Sequence, residues 1–340
     1  MNILITSAGR RGYIVEYFKK ALHGHGKVYV GNSTSLSSAF FYGDERIVTP
    51  LIYSDDYIPF LLDFCREKNI QMILSLFDID LQILARNKAV FRENGVSVIV
   101  SDEDVINICN DKWKTYCFAN NNNIFTPKTY LRLDDAEIAI GHGGVGFPLM
   151  VKPRWGMGSL AIYQVENAVE LKVLYNKCIS DIQKTYLKYE SAVDLENCVI
   201  IQEKLQGEEY GIDIIHDLQG EFCNNIVRKK YAMRAGETDC AMVVRNTELD
   251  AFAHKLGTAL GHIANLDVDV FVSNNKVYLL EMNARFGGGY PFSHLSGVDL
   301  PRAIVKWISG KRLEDELNVK TYGRLIQKDI QFVDLTDYQV

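Results

Sequence analysis

Through its first hundred residues the chain alternates short apolar runs with stretches of helical period, and this alternation restricts the fold more than any other feature. Asn2–Thr6 is an apolar run that ends in Ser7-Ala8-Gly9-Arg10-Arg11-Gly12. Apolar residues at Ile14, Val15, Phe18, Ala21 and Leu22 then mark a helix over Tyr13–Leu22. The same reading predicts a strand at Val28–Val30, a helix over Asp56–Lys68, a strand at Met72–Leu76, a helix over Leu81–Glu93 and a strand at Val96–Val100. Short apolar strands separated by helices predict a parallel, doubly wound α/β sheet.

The pattern changes near residue 110. A helix is expected over Asp111–Asn120, and strands at Pro148–Pro153 and Leu160–Val165 flank a glycine-containing turn. A charged helix follows over Ala168–Tyr189. Further strands are expected at Val199–Glu203, Tyr210–Asp217 and Glu221–Arg228, then a helix over Ala251–Ala264. Val268–Val272 and Val277–Met282 read as a hairpin around Ser273–Lys276. This part of the chain is therefore expected to be antiparallel α+β. At roughly 150 residues per domain the length predicts two or three domains.

Composition excludes several classes. Hydrophobic residues make up 47% and charged residues 24%, so the chain can bury sizeable cores and is not a disordered or fibrous one. Basic and acidic residues number 37 and 43, which gives no basic excess for nucleic acid. No run approaches the roughly 18 apolar residues of a membrane span. The N-terminal apolar run precedes its arginines, the reverse of a signal peptide. Seven cysteines without CxxC spacing suggest neither a disulfide framework nor a zinc ribbon, and a cytoplasmic protein with reduced thiols is expected.

Four segments carry candidate chemistry. The loop Ser7–Gly12 leads from a strand into a helix, where free backbone N–H groups can receive an anion. A dinucleotide fingerprint would need glycine at Ser7 and a carboxylate after the second strand, which instead ends at Gly31-Asn32, so NAD is disfavoured. Lys152 precedes Gly156-Met157-Gly158-Ser159, a point charge followed by a loop able to close over phosphates, although an ordinary hairpin fits the same residues. Glu203, Lys204 and Leu205 end a strand and can face a purine edge, with Glu209 placed for ribose hydroxyls. An acidic surface turn is the plainer reading of that segment. Glu281 and Asn283 lie two residues apart on one face of an otherwise apolar strand. Polar groups there are costly unless something binds them, and two hard oxygen donors suit Mg²⁺. Asp269, on the preceding strand, joins that face only if the hairpin loop has an odd number of residues or a bulge restores the register. With a two-residue loop at Asn274-Asn275 and no bulge it points away. Gly287-Gly288-Gly289 then permits close approach of the backbone to a ligand.

Taken in order, these segments resemble the ATP-grasp superfamily, and within it the group related to the large chain of carbamoyl-phosphate synthase. The resemblance rests on Asp111-Lys112 opening a helix, VKPRWGMGS, IIQEKLQGEEYGID, RAGETD and EMNARFGGG, and spans about residues 1–312. It implies a Rossmann-like pre-ATP-grasp domain over 1–110, a small ATP-grasp lobe with the phosphate loop over 111–204, a large lobe with the metal site over 205–315 and a C-terminal segment, 316–340. By that resemblance Lys112 and Lys152 hold ATP phosphates and Gly156, Gly158 and Ser159 belong to the loop above them. Glu203, Lys204 and Leu205 receive adenine, and Glu209 receives the ribose. Asp269, Glu281 and Asn283 hold Mg²⁺, with Mn²⁺ as a substitute, and Arg285, Arg234 and Lys152 act in catalysis. Ala284 stands where the family usually has proline, a departure that costs rigidity rather than chemistry.

The implied reaction is ligation of a small-molecule carboxylate and an amine through an acyl phosphate, giving ADP and phosphate. A kinase of bicarbonate, carbamate or another small acid, and an ATP-binding module without catalysis, are the alternatives. The chain is too short for both halves of the synthase. Arg10, Arg11, Asp78, Asp80, Tyr290 and His294 are candidates for the acceptor site, although Asp78 and Asp80 also suit a helix cap. Neither nucleic acid nor membrane is an expected partner, and a homodimer is compatible with the resemblance.

Overall fold

The structure, a computed structural model, describes residues 1–336. The last four residues of the segment 316–340 lie outside the described residues. Five parallel strands form the N-terminal sheet: β1 (Asn2–Thr6), β2 (Val28–Asn32), β3 (Glu45–Val48), β4 (Ile70–Ser75) and β5 (Ser97–Val98). Their order is β3-β2-β1-β4-β5. Ile3, Leu4 and Ile5 of β1 are fully buried although they alternate faces, as expected of a parallel sheet covered on both sides. The order reverses between β1 and β4. In open α/β sheets such a switch point leaves a crevice at the strands' carboxyl ends, where ligands bind.

Local detail departs from the sequence reading in places. The helix expected over Leu81–Glu93 is two, Asp78–Arg86 and Lys88–Glu93, and the last strand shortens to Ser97–Val98. The helix expected over Ala168–Tyr189 likewise divides into Ala168–Lys184 and Leu187–Ser191.

Two antiparallel sheets follow. The small lobe carries β6 (Thr129–Tyr130), β7 (Leu149–Pro153), β8 (Tyr163–Val165) and β9 (Val199–Glu203), in the order β6-β9-β7-β8. The large lobe carries β10 (Glu208–His216), β11 (Phe222–Arg234), β12 (Glu237–Val243), β13 (Ala264–Ser273), β14 (Lys276–Asn283) and β15 (Leu325–Gln327), in the order β14-β13-β10-β11-β12-β15. β15 comes from the C-terminal segment and pairs with β12. Helix Thr247–Leu260 lies against the large sheet. Asn246 caps its N-terminus by accepting from the backbone N–H groups of Glu248 and Leu249, and Gly261 ends it in the left-handed conformation.

Packing divides the molecule differently from the sheets. Residues of the N-terminal sheet and of the large lobe share two continuous cores, for instance Leu4, Ile73 and Leu84 with Ile212, Val268 and Leu279. The small lobe has a separate core built around Leu149, Val151, Leu171, Cys178, Ile182 and Val199. The N-terminal and large lobes thus form one continuously packed body, to which the small lobe is attached as a second.

Candidate active site

The hairpin β13–β14 decides the site's geometry. Its loop is the two-residue Asn274-Asn275, with Ser273 opposite Lys276. That register continues to Val270 opposite Leu279 and would place Glu281 opposite Val268, facing the apolar core. Instead the pairing shifts at Leu280, and Asp269 lies opposite Glu281 and Asp267 opposite Asn283. The extra residue flips Glu281 out of the core face, on which Val268, Val270 and Leu279 are fully buried. Four oxygen-bearing side chains, those of Asp267, Asp269, Glu281 and Asn283, thereby share one face and line one cleft.

They are not equivalent. Among the described residues the side chains of Glu281 and Asn283 enter no ion pair or side-chain hydrogen bond. Asp269 pairs with Lys230 at 2.6 Å, and Lys230 also holds Glu209 at 2.8 Å. Asp267 accepts from Arg228 at 3.1 Å and lies 4.0 Å from Arg285. Burial pushes Asp269 up to about 6; Lys230 opposes the shift while Asp267 and Glu281 add to it. Burial alone would raise Glu281 too, but Lys112, Lys152, Lys230 and Arg285 outweigh it and hold the carboxyl below its usual range. Concentrated oxygen donors with ion-paired neighbours form a set suited to a hard divalent cation.

Opposite this face stand two lysines. Asp111 caps helix Lys112–Asn121, accepting from the backbone N–H groups of Trp113 and Lys114. The Arg154 guanidinium grips the same carboxylate with two bonds of 2.8 Å, and the Lys112 N–H donates to the Arg154 carbonyl at 3.1 Å. This lock sets the Lys112 ammonium over the glycine loop, where it donates to the Gly156 carbonyl at 2.6 Å. Lys152 leaves β7 almost fully buried, and burial, with the Lys112 charge adding, pushes its ammonium down to about 8 against the pull of Glu281. Gly156, Gly158 and Ser159 border a compartment of about 50 Å³ together with both lysines and Glu281. A Cβ on Gly236, at the turn between β11 and β12, would meet Ser159 Oγ at 2.7 Å, so that turn lies directly against the loop.

The main cleft, of about 310 Å³, opens toward the switch point of the N-terminal sheet, and Ser7–Arg11 and Leu76–Asp78 form that wall. Asp78 accepts from Arg285 at 2.8 Å. Asp80 is fully buried and accepts from the hydroxyls of Thr6, Ser75, Ser7 and Tyr57. Neither carboxylate caps the helix they begin, whose N-cap is Phe77. Arg11 donates to the Leu76 and Phe286 carbonyls and pairs with Glu237 at 3.4 Å. Gly287, Gly288 and Gly289 have no left-handed φ. Added Cβ atoms there would overlap Asp267, Glu237 and Arg228 respectively, so these glycines make room for the site's own polar side chains.

The remaining candidates lie elsewhere. Glu203 accepts from the Lys128 N–H at 3.2 Å and the Lys204 ammonium donates to Gln164 at 2.5 Å, at the small-lobe end of the connection to the large lobe, with Leu205 one residue on. Arg234 is turned from the cleft: it pairs with Asp239 at 2.5 Å and its side chain is 46% exposed. Tyr290 is fully buried, donating to the Val298 carbonyl and accepting from the Leu300 N–H, and His294 stacks on Tyr17 with ring centroids 3.6 Å apart. Neither residue lines the cleft. Asp267 and Glu190 were missed. The alternation in Asp267-Val268-Asp269-Val270 is a signal that could have found the first.

The comparisons agree with this architecture. Residues 3–99 match the family model described as PylC-like, N-terminal domain, and residues 196–329 match that of the ATP-grasp in the biosynthetic pathway with Ter operon. The chain is 21% identical over 278 residues to the carbamoyl phosphate synthase large chain of Methanoregula boonei, covering 79% of this chain and 24% of that protein. It is 25% identical over 242 residues to that of Archaeoglobus fulgidus, covering 67% and 21%. It thus spans about a quarter of the length of these curated relatives. Among solved structures it resembles biotin carboxylase of Campylobacter jejuni, with a TM-score of 0.72 at 18% identity over 93% of this chain and 72% of that one. For L-amino acid ligase of Bacillus licheniformis the TM-score is 0.71 at 16% identity over 93% and 77%. For N5-carboxyaminoimidazole ribonucleotide synthetase of Thermotoga maritima it is 0.65 at 17% identity over 94% and 78%. A PylC-like N-terminal model thus matches the first part of the chain and an ATP-grasp model its later part, and the chain is similar in sequence to the carbamoyl phosphate synthase large chain.

Proposed function

We propose that the chain is an ATP-dependent ligase that joins a small carboxylic acid to an amine, with Mg²⁺, or Mn²⁺ in its place. The observation that carries this reading is the bulged hairpin, which turns Glu281 toward Lys112 and Lys152 and beside Asp269 and Asn283. Phosphoryl transfer requires alignment and charge neutralisation more than a protein nucleophile. Lys112 and Lys152 are placed to hold phosphate oxygens, and the Gly156–Ser159 loop to exclude water from them. Glu281 and Asn283, with Asp269, would hold the cation, which when bound supplies further positive charge against the phosphates. A carboxylate oxygen attacks the γ-phosphorus, ADP departs, and the acyl phosphate is attacked by the amine nitrogen with loss of phosphate and a proton. Arg285, oriented by Asp78, is aimed at the charge that develops on the transferred group. Arg234 can join it only by leaving Asp239. The acid is assigned to the main cleft, beside Arg10 and Arg11.

The solved relatives named for carboxylation and for amino acid ligation support the reaction class. The test is a screen of acids against amines by coupled ADP release. ADP formation that requires both substrates is the expected result. An acyl phosphate released without amine identifies an acid kinase instead, and ATP binding with no ADP from any pair removes catalysis from the account.

A further inference from the structure

A third compartment, of about 10 Å³, opens off the same junction and is bordered by Asp78, Asn110, Lys112, Glu190, Glu281 and Asn283. Gly156, Met157 and Glu281 border all three spaces, so the phosphate compartment, the main cleft and this one meet at Glu281. Its volume suits one group the size of a water or an ammonium. Two of its walls are carboxylates brought from distant parts of the chain, Asp78 from the start of helix Asp78–Arg86 and Glu190 from the short helix Leu187–Ser191 of the small lobe. They are 4% and 8% exposed. Each keeps one buried oxygen, Oδ1 of Asp78 and Oε2 of Glu190, that accepts no hydrogen bond from the described residues.

A buried carboxylate oxygen without a donor is costly, and two on residues that border one small space point to a ligand that supplies both. Burial, with the Asp78 charge adding, pushes the Glu190 carboxyl up to about 7 against the pull of Lys112, and the neighbouring cations donate to other atoms. Arg285 takes the other oxygen of Asp78, and the Lys112 ammonium is directed at the Gly156 carbonyl. An acid would be repelled here, whereas a compact cation with several N–H donors fits.

We infer that this compartment receives the ammonium head of the amine substrate, between Asp78 and Glu190. The inference rests on the ligase reading and gives it a place for its third reactant, next to the point where the acyl phosphate would form. It also ties amine binding to lobe closure, because one carboxylate belongs to each packed body. Tyr189, beside Glu190, stacks on Tyr53 of the N-terminal domain with ring centroids 4.5 Å apart, which holds that closed contact.

The test measures thermal unfolding of the full chain in ethylammonium chloride, tetramethylammonium chloride and potassium chloride at equal ionic strength. Ethylammonium should raise the midpoint by about 2 °C in the unaltered protein, and tetramethylammonium, which has no N–H, should not. Glu190→Gln should abolish the difference, and Glu190→Asp, which keeps the charge, should retain part of it. With an amine found by the ADP screen, Glu190→Gln should raise the KM for amine about tenfold and that for ATP far less. An equal response to potassium would reassign the compartment to an inorganic cation, and an unchanged response in Glu190→Gln would overturn the inference. A selective ethylammonium response without ADP release from any pair would retain the ammonium site and retire the ligase reading.

Discussion

Lys152 is a charge the fold would hold more cheaply as an apolar residue. Burial depresses its proton affinity to about 8, so between that pH and the unfolded value of 10.5 the unfolded chain binds the extra proton. Stability should therefore rise with pH across that window, by on the order of 3 kcal/mol, and Lys152→Met should flatten the rise. We predict that denaturation midpoints show Lys152→Met to be at least as stable as the parent at pH 7, while nucleotide affinity falls by about a hundredfold or more. A second residue prediction concerns Gly287. Alanine there has an acceptable φ but collides with Asp267, so Gly287→Ala should cost about 1–3 kcal/mol by chemical denaturation and reduce any turnover. Residue types were well legible in the sequence, since Lys112, Lys152, Glu281, Asn283 and Arg285 all meet at the junction. Ion pairing was not. Arg234 meets Asp239 across a hairpin turn that the sequence reading did not identify, and nothing near Asp269 reveals Lys230.

At the level of elements, the site depends on one bulge. Without the bulge the two-residue loop would carry its register through, bring Glu281 opposite Val268 and drive its charge among Val270 and Leu279. Deleting Leu280 removes only the extra residue and leaves Glu281 opposite Asp269, so a folded deletion variant, checked by urea unfolding, should keep Mg²⁺-dependent nucleotide binding. If a folded deletion variant lost that binding, the register argument would be wrong. The sequence shows the two strands and their turn residues, and hence the alternatives, because apolar alternation and Asn-Asn are local signals. It cannot choose between them, since a bulge is decided by which face the partner strand buries. Elements β12 and β15 escaped for a related reason. Glu237–Val243 opens on the polar run Glu237-Thr238-Asp239 without clear apolar alternation, and Leu325–Gln327 is a three-residue edge strand whose pairing with β12 is purely tertiary.

Across the whole molecule, separate packing gives the small lobe freedom that the rest lacks. Its core shares no cluster with the body formed by the N-terminal and large lobes, so it should open at lower free energy. Native-state hydrogen exchange should find residues 129–203 less protected than β1 and β4, and MgATP should protect the Gly156–Ser159 loop and the Gly236 turn together. The alternation of βα units follows from hydrophobic period, which is why the N-terminal fold class was legible, whereas the edge strand Glu45–Val48 and the order of the strands were not. The closed contact between lobes is not, because Tyr53 and Asp78 are far along the chain from Tyr189 and Glu190, and all four are ordinary in composition. The account stands most directly on Glu281, where the three compartments meet. Its measurement is acid- and amine-dependent ADP release by the parent and by Glu281→Ala, side by side, with folding checked by circular dichroism. The prediction is a fall of about a hundredfold or more in Glu281→Ala with the fold retained; full turnover by that variant would contradict the site described here.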